Sequence, residues 1–258
     1  MIELTIQGDV AEVVLNAPER LNALGPADLD ALGDAYAEAE RAGVRALVLR
    51  GAGRAFCAGR DISGVDPRAD NVLGYLEGRV EPVMRRIADF PAPTFAAAHG
   101  ACLGVGLGLL IATDVVYVAE SAKIGSPFKN LGATLDSGGH ALFLERLGAH
   151  RTLDLIYSGR LLTGAEAVSL GLFSRVFADD AALEAARAAA AQAASGPTQA
   201  FVASKRLVAS LRDERVGLWR SMSDENRAQA ALCDTDDYRE GFAAFQQKRM
   251  PVFAGDRP

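Results

Sequence analysis

Small residues followed at once by two opposite charges mark the first stretch that could perform chemistry. The apolar run RALVLRG is followed by RAFCAGRDIS, in which Ala58-Gly59 precedes Arg60-Asp61. Small residues after a buried strand let a ligand approach the backbone, and a short loop that enters a helix leaves amide N–H groups unpaired. Such amides can stabilise a negative oxygen. We expect an oxyanion loop with Asp61 as the helix N-cap; the alternative is an ordinary tight turn between a strand and a helix.

A second glycine-rich stretch has the same arrangement. HGACLGVGLGLL follows the apolar run TFAAA and precedes a predicted helix, so its amides lie at the positive end of a helix dipole. Two such turns can donate hydrogen bonds to one oxygen. The glycines do not follow the GxGxxG spacing, and no acidic residue at a strand end follows about 20 residues later, which argues against a dinucleotide site.

Histidine and cysteine side chains are weaker candidates. His99 ends a predicted buried strand and is interpreted as a core histidine, His140 could reach the substrate, and His150 begins a predicted helix. The three histidines lack the spacing of metal ligands, so no metal is expected. Cys57 and Cys102 flank the two glycine-rich loops without an adjacent base, which argues against nucleophilic catalysis.

The elements that must position these loops alternate between strands and helices. In chain order they are a hairpin over 2–15, a helix over 26–43, a strand over 46–49, a helix over about 79–90, and strands at TFAAAHG and DVVYVAE. This alternation favours a layered α/β fold with parallel strands.

Beyond about residue 195 the pattern becomes helical. We therefore divide the chain at SGPT into a core of residues 1–195 and a C-terminal helical part of residues 196–258. The helical part carries apolar residues that we expect to form contacts between subunits, in a trimer or hexamer. They include Phe201, Leu207, Leu218, Trp219 and Phe242.

Length and composition exclude several classes of protein. With 258 residues, half of them hydrophobic, the chain can bury one large core. A net charge of −6 without a basic run argues against nucleic acid as the main partner. The first residues, MIELTIQGD, lack the features of a signal peptide, and no apolar stretch is long enough to span a bilayer. Three unclustered cysteines are typical of reduced thiols, so we expect a cytoplasmic protein.

Five motifs together resemble the crotonase, or enoyl-CoA hydratase/isomerase, superfamily. They are LNAPERLNAL, GAGRAFCAGRDIS, HGACLGVGLGLLIATDV, SGRLLTGAEAVSLGLFSRVF and DYREGFAAFQQKRMPVF, and they cover nearly the whole chain in the family's order. The resemblance implies an α/β fold built as a crotonase-like spiral of ββα units. It also implies a C-terminal helical region that forms homotrimers or dimers of trimers, a coenzyme A thioester as substrate, and no separate cofactor.

The same resemblance assigns roles to particular residues. The thioester carbonyl would lie between the backbone amides of Arg60 and Val105. Residues implied in CoA binding are Gly59, Asp61 and Gly104 in the loops, Ala58 against the adenine, Arg20 along the CoA tail, and Phe245 and Lys248 at the adenine and phosphate. The Arg60 side chain replaces a small or apolar residue common in the family, so we expect it to turn toward a CoA phosphate or an acidic neighbour.

The sequence departs from the hydratases at both of their catalytic glutamates. These align on Gly108 and Phe128, neither of which can move a proton. Asp136, in GATLDSGGH, instead resembles the catalytic aspartate of dienoyl-CoA isomerases and, most closely, of ring-1,2-epoxyphenylacetyl-CoA isomerases. Its apolar neighbours in sequence would raise its pKa, which suits a base that must return its proton. The alternative is that Asp136 only caps a helix over residues 138–147.

The sequence therefore predicts an acyl-CoA isomerase that shifts a double bond or rearranges a ring epoxide. Asp136 would shuttle the proton while the two amides hold the enolate oxygen. Three alternatives stay open: a hydratase-like crotonase reaction, an aryl-CoA dehalogenase or hydrolase that uses the aspartate as a nucleophile, and a non-catalytic CoA-thioester binder. The dehalogenases use further His and Trp residues at the site, and the lone Trp219 lies in the C-terminal region. The acyl group depends on the course of residues 62–80, which the sequence does not fix.

Overall fold

A six-stranded sheet lies at the centre of the computed structural model, which describes residues 1–66, 68–214, 226–227, 229, 231 and 235–254, except the side chains at 242, 245 and 246. The described strands are β1 (Ile2–Gln7), β2 (Val10–Leu15), β3 (Ala46–Gly51), β4 (Thr94–Ala98), β5 (Ala101–Leu103), β6 (Val115–Ala119), β7 (Lys123–Gly125), β8 (Leu162–Thr163) and β9 (Arg175–Phe177). The large sheet has the order β1-β2-β3-β4-β6-β9. Only the β1–β2 pair in it is antiparallel, which confirms the predicted hairpin and the parallel strands.

Helices cover both faces of this sheet. The described helices are α1 (Pro26–Arg41), α2 (Val72–Tyr75), α3 (Glu81–Ala88), α4 (Val105–Ala112), α5 (Gly139–Leu147), α6 (Ala149–Ser158), α7 (Gly164–Ser169), α8 (Ala182–Ala194), α9 (Thr198–Glu214) and α10 (Asp236–Gln247). One buried cluster joins Leu49 of β3 to Leu32 of α1, and a second joins Val48 to Ala186 and Ala190 of α8. Neighbouring β3 residues thus pack on opposite faces, which explains why this strand reads as a continuous apolar run.

A second, three-stranded sheet has the order β5-β7-β8. Its strands β5 and β7 each follow a strand of the large sheet after a short turn, and each leads into a helical segment. The chain thus repeats a ββα unit, first as β4-β5-α4 and then from β6 and β7 onward. This repetition is the crotonase-like spiral expected from the resemblance.

The helix predicted over about 79–90 begins earlier than expected. Helical structure runs without interruption from Val72 to Ala88, because a π-helical turn at Leu76–Val80 joins α2 to α3. The Asn71 side chain caps this start by accepting a hydrogen bond from the Gly74 N–H at 2.9 Å. Two glycines, Gly74 and Gly78, made this stretch resemble a loop in the sequence.

Two basic side chains fasten helix α9 to the core. The buried Arg45 donates to Thr198 Oγ1 and to the carbonyl of Gly196, and Lys205 donates to the carbonyl of Phe90 and to Asp114. The break between α8 and α9 falls at residues 195–197, close to the predicted boundary. The division into two domains stays a prediction, and the predicted helix around 218–232 lies mostly outside the described residues. Within the described ranges, no helix is long and apolar enough to cross a bilayer.

Candidate active site

The first oxyanion loop, residues 57–61, turns one backbone amide away from its neighbours. The N–H of Asp61 donates to the Leu24 carbonyl at 3.0 Å, and the Leu24 N–H donates to the Gly59 carbonyl at 2.8 Å. Arg60 lies between Gly59 and Asp61, which both bond to Leu24. In an extended chain, such a residue points its own N–H to the side opposite these two hydrogen bonds. The Arg60 amide therefore points away from Leu24, and none of the described residues accepts a hydrogen bond from it.

The second expected oxyanion loop, which lies in the stretch HGACLGVGLGLL, ends at the start of α4 and touches the first. Val105 is the first residue of that helix, so its N–H has no intrahelical acceptor. Gly59 has φ +101°, and a Cβ there would lie 3.0 Å from the Leu103 carbonyl oxygen and 3.8 Å from the Gly104 Cα. This close contact requires glycine and sets the amides of Arg60 and Val105 on adjoining segments. Two such amides can bind one developing oxyanion.

Asp61 does not cap a helix, so this part of the prediction is wrong. Its Oδ1 accepts hydrogen bonds from the Ser63 N–H at 3.0 Å and the Ser63 Oγ at 2.7 Å, and its Oδ2 accepts from Arg20. No described helix begins before Val72 in this stretch. The aspartate therefore holds a local turn in the loop instead of a helix end.

Neither position that aligns with a hydratase glutamate carries a carboxylate, and position 108 has no room for one. A Cβ on Gly108 would lie 2.5 Å from Ser137 Cβ and 3.2 Å from Met84 Sδ, so the turn after Asp136 lies directly against α4. The Phe128 ring packs on the other loop, 3.1 Å from where a Gly104 Cβ would be. Both positions therefore contribute packing to the site and no proton transfer.

The Asp136 side chain is half-buried beside a strained turn and does not cap α5. Ser137 and Gly138 have φ +50° and +80°, and Gly138 is the N-cap of α5 without any side-chain hydrogen bond. The Gly139 N–H donates to the backbone carbonyl of Asp136 at 3.0 Å, whereas Asp136 Oδ1 accepts from Ser137 Oγ at 2.8 Å. The interpretation of Asp136 as a side-chain cap is therefore wrong. The carboxylate remains available for chemistry.

The surroundings of Asp136 favour its protonated form. Burial raises the pKa of this carboxyl above its ordinary value, while the Ser137 hydroxyl and the positive charge of Arg60 act in the opposite direction. The direction agrees with the expectation from its apolar neighbours. A carboxylate with a raised pKa can take up a proton from carbon and give it back.

The Arg60 side chain turns to an acidic neighbour, which is one of the two expected outcomes. Its Nη1 and Nη2 donate to the two carboxylate oxygens of Asp70 at 2.8 and 2.6 Å. The guanidinium also lies over the Tyr75 ring, 4.1 Å from the ring centroid. These contacts place a paired cation beside the first oxyanion loop.

The residues expected to bind CoA differ in their exposure and in their contacts with other residues. Arg20 bridges Asp28 and Asp61 at 2.8 and 2.9 Å, so its charge is already balanced by two carboxylates. Ala58 is half-buried and Lys248 is exposed directly after α10, while the Phe245 side chain lies outside the described part of the structure. Their roles in CoA binding stay predictions.

The histidine and cysteine side chains differ in burial and in their contacts. His99 is half-buried and donates from Nε2 to the Gly53 carbonyl at 3.0 Å, while His140 and His150 are exposed. Burial raises the pKa of the Cys57 thiol to about 12 and that of Cys102 well above its ordinary value. Both thiols are therefore protonated at neutral pH and are poor nucleophiles. The described residues contain no group of three or more His, Cys, Asp and Glu side chains that could hold a metal ion.

Sequence reasoning missed several residues that shape the site. Asp70 and Tyr75 lie in a stretch whose course was not predicted, and their contacts with Arg60 appear only in three dimensions. Asn22 is fully buried and donates from Nδ2 to the carbonyls of Ala52 and Ala55, which fixes the start of the first loop. The Asn of the LNAL motif was the available signal, since a buried amide usually holds a turn.

Comparisons with known proteins agree with this geometry. A family model described as enoyl-CoA hydratase/isomerase matches residues 5–256. The 1,2-epoxyphenylacetyl-CoA isomerase of Escherichia coli (strain K12) is 33% identical over 255 residues, with 97% of each chain covered. The mitochondrial enoyl-CoA hydratase domain-containing protein 2 of Bos taurus is 36% identical over 253 residues, which cover 96% of this chain and 85% of that protein. The crystal structure of an enoyl-CoA hydratase from Bacillus anthracis matches with a TM-score of 0.90 and 29% identity, and 99% of both chains is covered. The chain therefore belongs to the enoyl-CoA hydratase/isomerase family.

Proposed function

We propose that this protein is an acyl-CoA isomerase in which Asp136 carries the proton and the amides of Arg60 and Val105 hold the enolate oxygen. The observation that carries the proposal is the position of Asp136. Its half-buried carboxylate projects from a turn that packs on Gly108, which lies one helical turn after Val105 on the same face of α4. Positions 108 and 128, where the hydratases carry glutamates, offer no acid or base.

The proposed reaction moves one proton and one electron pair within the acyl group. Asp136 accepts a proton from a carbon next to or conjugated with the thioester carbonyl, and the C–H electrons move into the enolate. The negative oxygen is stabilised by the two amides, which can contribute several kcal/mol in a dry site. Asp136 then returns the proton to another carbon. The double bond shifts, or the ring rearranges when the acyl group is an epoxide.

Hydration is the second candidate, because several relatives carry the name probable enoyl-CoA hydratase. The two-glutamate mechanism is not available to this chain, so water addition would need a different base. The two reactions differ in product mass. A hydrated product gains one water, whereas an isomerised product keeps its mass and changes its ultraviolet absorbance.

A panel of CoA thioesters together with two variants of Asp136 tests the proposal. The panel contains trans-2-enoyl, 3-enoyl, dienoyl and phenylacetyl-epoxide CoA, and product mass identifies the reaction. Asp136→Asn should lower turnover roughly 10²–10⁴-fold while folding and CoA binding persist. Asp136→Ala should lose turnover equally.

Asp154→Asn provides the control for these variants. Asp154 is an exposed carboxylate on α6, so its replacement should leave turnover near wild type. If Asp136→Asn turned over substrate at the wild-type rate, Asp136 could not be the base. Loss of thioester binding together with turnover would instead indicate a structural role for Asp136.

A further inference from the structure

Ser137 has a backbone conformation that favours glycine. Its φ is +50°, in the left-handed region, where a side chain other than glycine's is strained. The two residues that follow are glycines, and Gly138 also has a positive φ, +80°. The chain thus keeps a side chain at position 137 although glycine would adopt this conformation without strain. A strained residue of this kind points to a role for its side chain.

The hydroxyl of Ser137 is bonded to the carboxylate of Asp136. Its Oγ donates to Asp136 Oδ1 at 2.8 Å, and both residues are half-buried. Among the described residues, no other group donates a hydrogen bond to this carboxylate. Oδ1 is therefore engaged by the serine, while Oδ2 is the oxygen without a described donor.

The Cβ and the carbonyl of Ser137 lie against helix α4. A Cβ on Gly108 would lie 2.5 Å from Ser137 Cβ and 3.0 Å from the Ser137 carbonyl oxygen, so the serine packs directly on this helix. A packed Cβ limits the directions that the hydroxyl can take. The first residue of the same helix is Val105, whose amide is one of the two oxyanion donors. Ser137 therefore connects the Asp136 carboxylate to the helix that presents this amide.

We propose that Ser137 is a positioning residue, whose hydroxyl holds the Asp136 carboxylate in a fixed place relative to α4 and leaves Oδ2 to take the proton. This inference rests on the function proposed above. It also has an electrostatic consequence. Burial raises the pKa of Asp136, and the Ser137 hydroxyl acts against burial because a donor favours the charged carboxylate. Loss of the hydroxyl should therefore raise the pKa of Asp136 further.

The charged groups around Asp136 do not depend on this serine. The Arg60 charge also lowers the pKa of Asp136, but less than the Ser137 hydroxyl does, and the Tyr75 phenol stays neutral because burial raises its pKa. Helix α4 carries no titratable residue. The titratable side chains on the neighbouring helical segments are exposed; they include Glu81, Arg85, Lys129 and His140. All of these groups remain in variants of Ser137, so a changed titration of Asp136 would report the hydroxyl.

Two variants of Ser137 separate the hydroxyl from the backbone strain. Ser137→Gly removes the hydroxyl and relieves the strain, whereas Ser137→Thr keeps a hydroxyl and adds a branched side chain in the left-handed region. Ser137→Gly should lower kcat roughly 10-fold with KM changed less than about 2-fold. The acid limb of its kcat/KM profile should move to higher pH by roughly 0.5–1 unit. Ser137→Thr should melt below Ser137→Gly and still keep most of the wild-type profile.

The reverse order would overturn the proposal. If the serine were only structural, activity would follow the melting temperature, and Ser137→Thr would be impaired while Ser137→Gly stayed near wild type. Ser137→Ala keeps the Cβ and loses the hydroxyl, so its pH profile should match that of Ser137→Gly. A wild-type profile in Ser137→Ala would contradict the role of the hydroxyl, and this comparison decides the matter if Ser137→Thr does not fold.

Two further measurements distinguish this inference from the proposed function. In carbon-13 NMR titration, the Asp136 carboxyl signal, identified by its absence in Asp136→Asn, should show a higher pKa in Ser137→Gly than in wild type. In the Asp136→Asn background, Ser137→Gly should cause no further loss of turnover, because the serine acts through the aspartate. An unmoved carboxyl signal, or a further loss in the double variant, would refute this inference alone. A wild-type rate in Asp136→Asn would instead refute the proposed function.

Discussion

Ser137 occupies the space into which any side chain on Gly108 would grow. A Cβ on Gly108 would lie 2.5 Å from Ser137 Cβ and 3.0 Å from its carbonyl oxygen, and both atoms belong to the turn that presents Asp136. The absence of a side chain at position 108 is therefore the condition under which the aspartate turn can pack on α4. Where the resemblance places a hydratase glutamate this chain has a glycine, and the turn that packs on this glycine carries Asp136.

Adding a side chain at Gly108 should displace this turn. Gly108→Ala should lower the free energy of unfolding by about 1–3 kcal/mol and reduce turnover, because the clash involves Ser137 Cβ and the Ser137 carbonyl oxygen, whose positions are set by the backbone. Gly108→Glu should lose more stability and should not produce hydratase activity. Urea unfolding and product mass measure the two effects. Gly33→Ala in α1 is the matched control, since a Cβ there meets only Val83 Cγ2 at 3.7 Å and should be neutral or stabilising. Equal stability of Gly108→Ala and wild type would contradict the packing described here.

Deleting one amide should test the oxyanion site without removing a side-chain acid or base. Proline is tolerated at the first position of a helix, which is where Val105 lies, but it has no N–H. Val105→Pro should therefore fold and should lose roughly 10²–10³-fold in turnover. Val105→Ala keeps the amide, so it should lose stability from reduced packing and retain most of its turnover. Similar rates for the two variants would show that this amide does not hold the reacting oxygen.

The stability of Asp136→Asn should depend on pH in a defined direction. Because burial raises the pKa of Asp136, the wild type is most stable while this carboxyl is protonated, and it loses stability as pH rises through the raised pKa. Asparagine has no charge to desolvate, so the Tm of the variant relative to wild type should rise between about pH 4 and about pH 7.

Asp61→Asn should show the opposite trend and serves as the control. Hydrogen bonds from Ser63 and from Arg20 lower the pKa of Asp61, so its contribution is present above its ordinary pKa and is lost as pH falls. The variant should therefore be less stable than wild type near neutral pH, and the difference should shrink in acid. Differential scanning calorimetry across this range measures both trends, and parallel curves for the two variants would contradict the electrostatics of the site.

Arg45 should contribute strongly to stability although it forms no ion pair in the described contacts. It is buried and donates to Thr198 Oγ1 and to the carbonyls of Gly196, Phe253 and Ala254. Arg45→Met leaves these acceptors without their donor, so the free energy of unfolding measured in urea should fall by about 2–4 kcal/mol. Arg41→Met replaces an exposed arginine and should change stability by less than about 0.5 kcal/mol. Equal effects of the two substitutions would exclude the anchoring role.

The expected trimer or hexamer also has a direct test. On α9, the apolar side chains of Phe201, Val208 and Leu211 are exposed in the single chain, whereas Leu207 is half-buried; of the other residues expected at subunit contacts, Leu218 and Trp219 and the side chain of Phe242 lie outside the described part. Light scattering at micromolar concentration should give the mass of a trimer or hexamer. Val208→Asp should reduce that mass with little effect on the folded chain, and a monomeric wild type would contradict the expectation.

Sequence patterns predicted those features that depend on residues close together in the chain. The parallel strands, the two glycine-rich loops and the raised pKa of Asp136 follow from apolar runs and small residues in the chain itself. The function of Asp61 was misread because an aspartate two residues before a serine can hold a turn as well as cap a helix. The contacts of Arg60 with Asp70 and Tyr75 could not be predicted, because these residues reach Arg60 only through the path of the intervening chain, which tertiary contacts determine.

Alkylation of the buried Cys57 thiol can measure how often the structure around the two loops opens. It is inaccessible, accepts a hydrogen bond from the Gly59 N–H at 3.4 Å, and would lie 3.0 Å from a Cβ on Gly106 at the start of α4. An alkylating reagent can reach this buried sulfur only when the structure around it opens, so the labelling rate measures how often that opening occurs. In a protein with Cys233 and Cys102 replaced, a bound thioester that bridges the loops should slow the labelling in proportion to the fraction of closed molecules. Alkylation kinetics would then report how often the structure around these two loops opens.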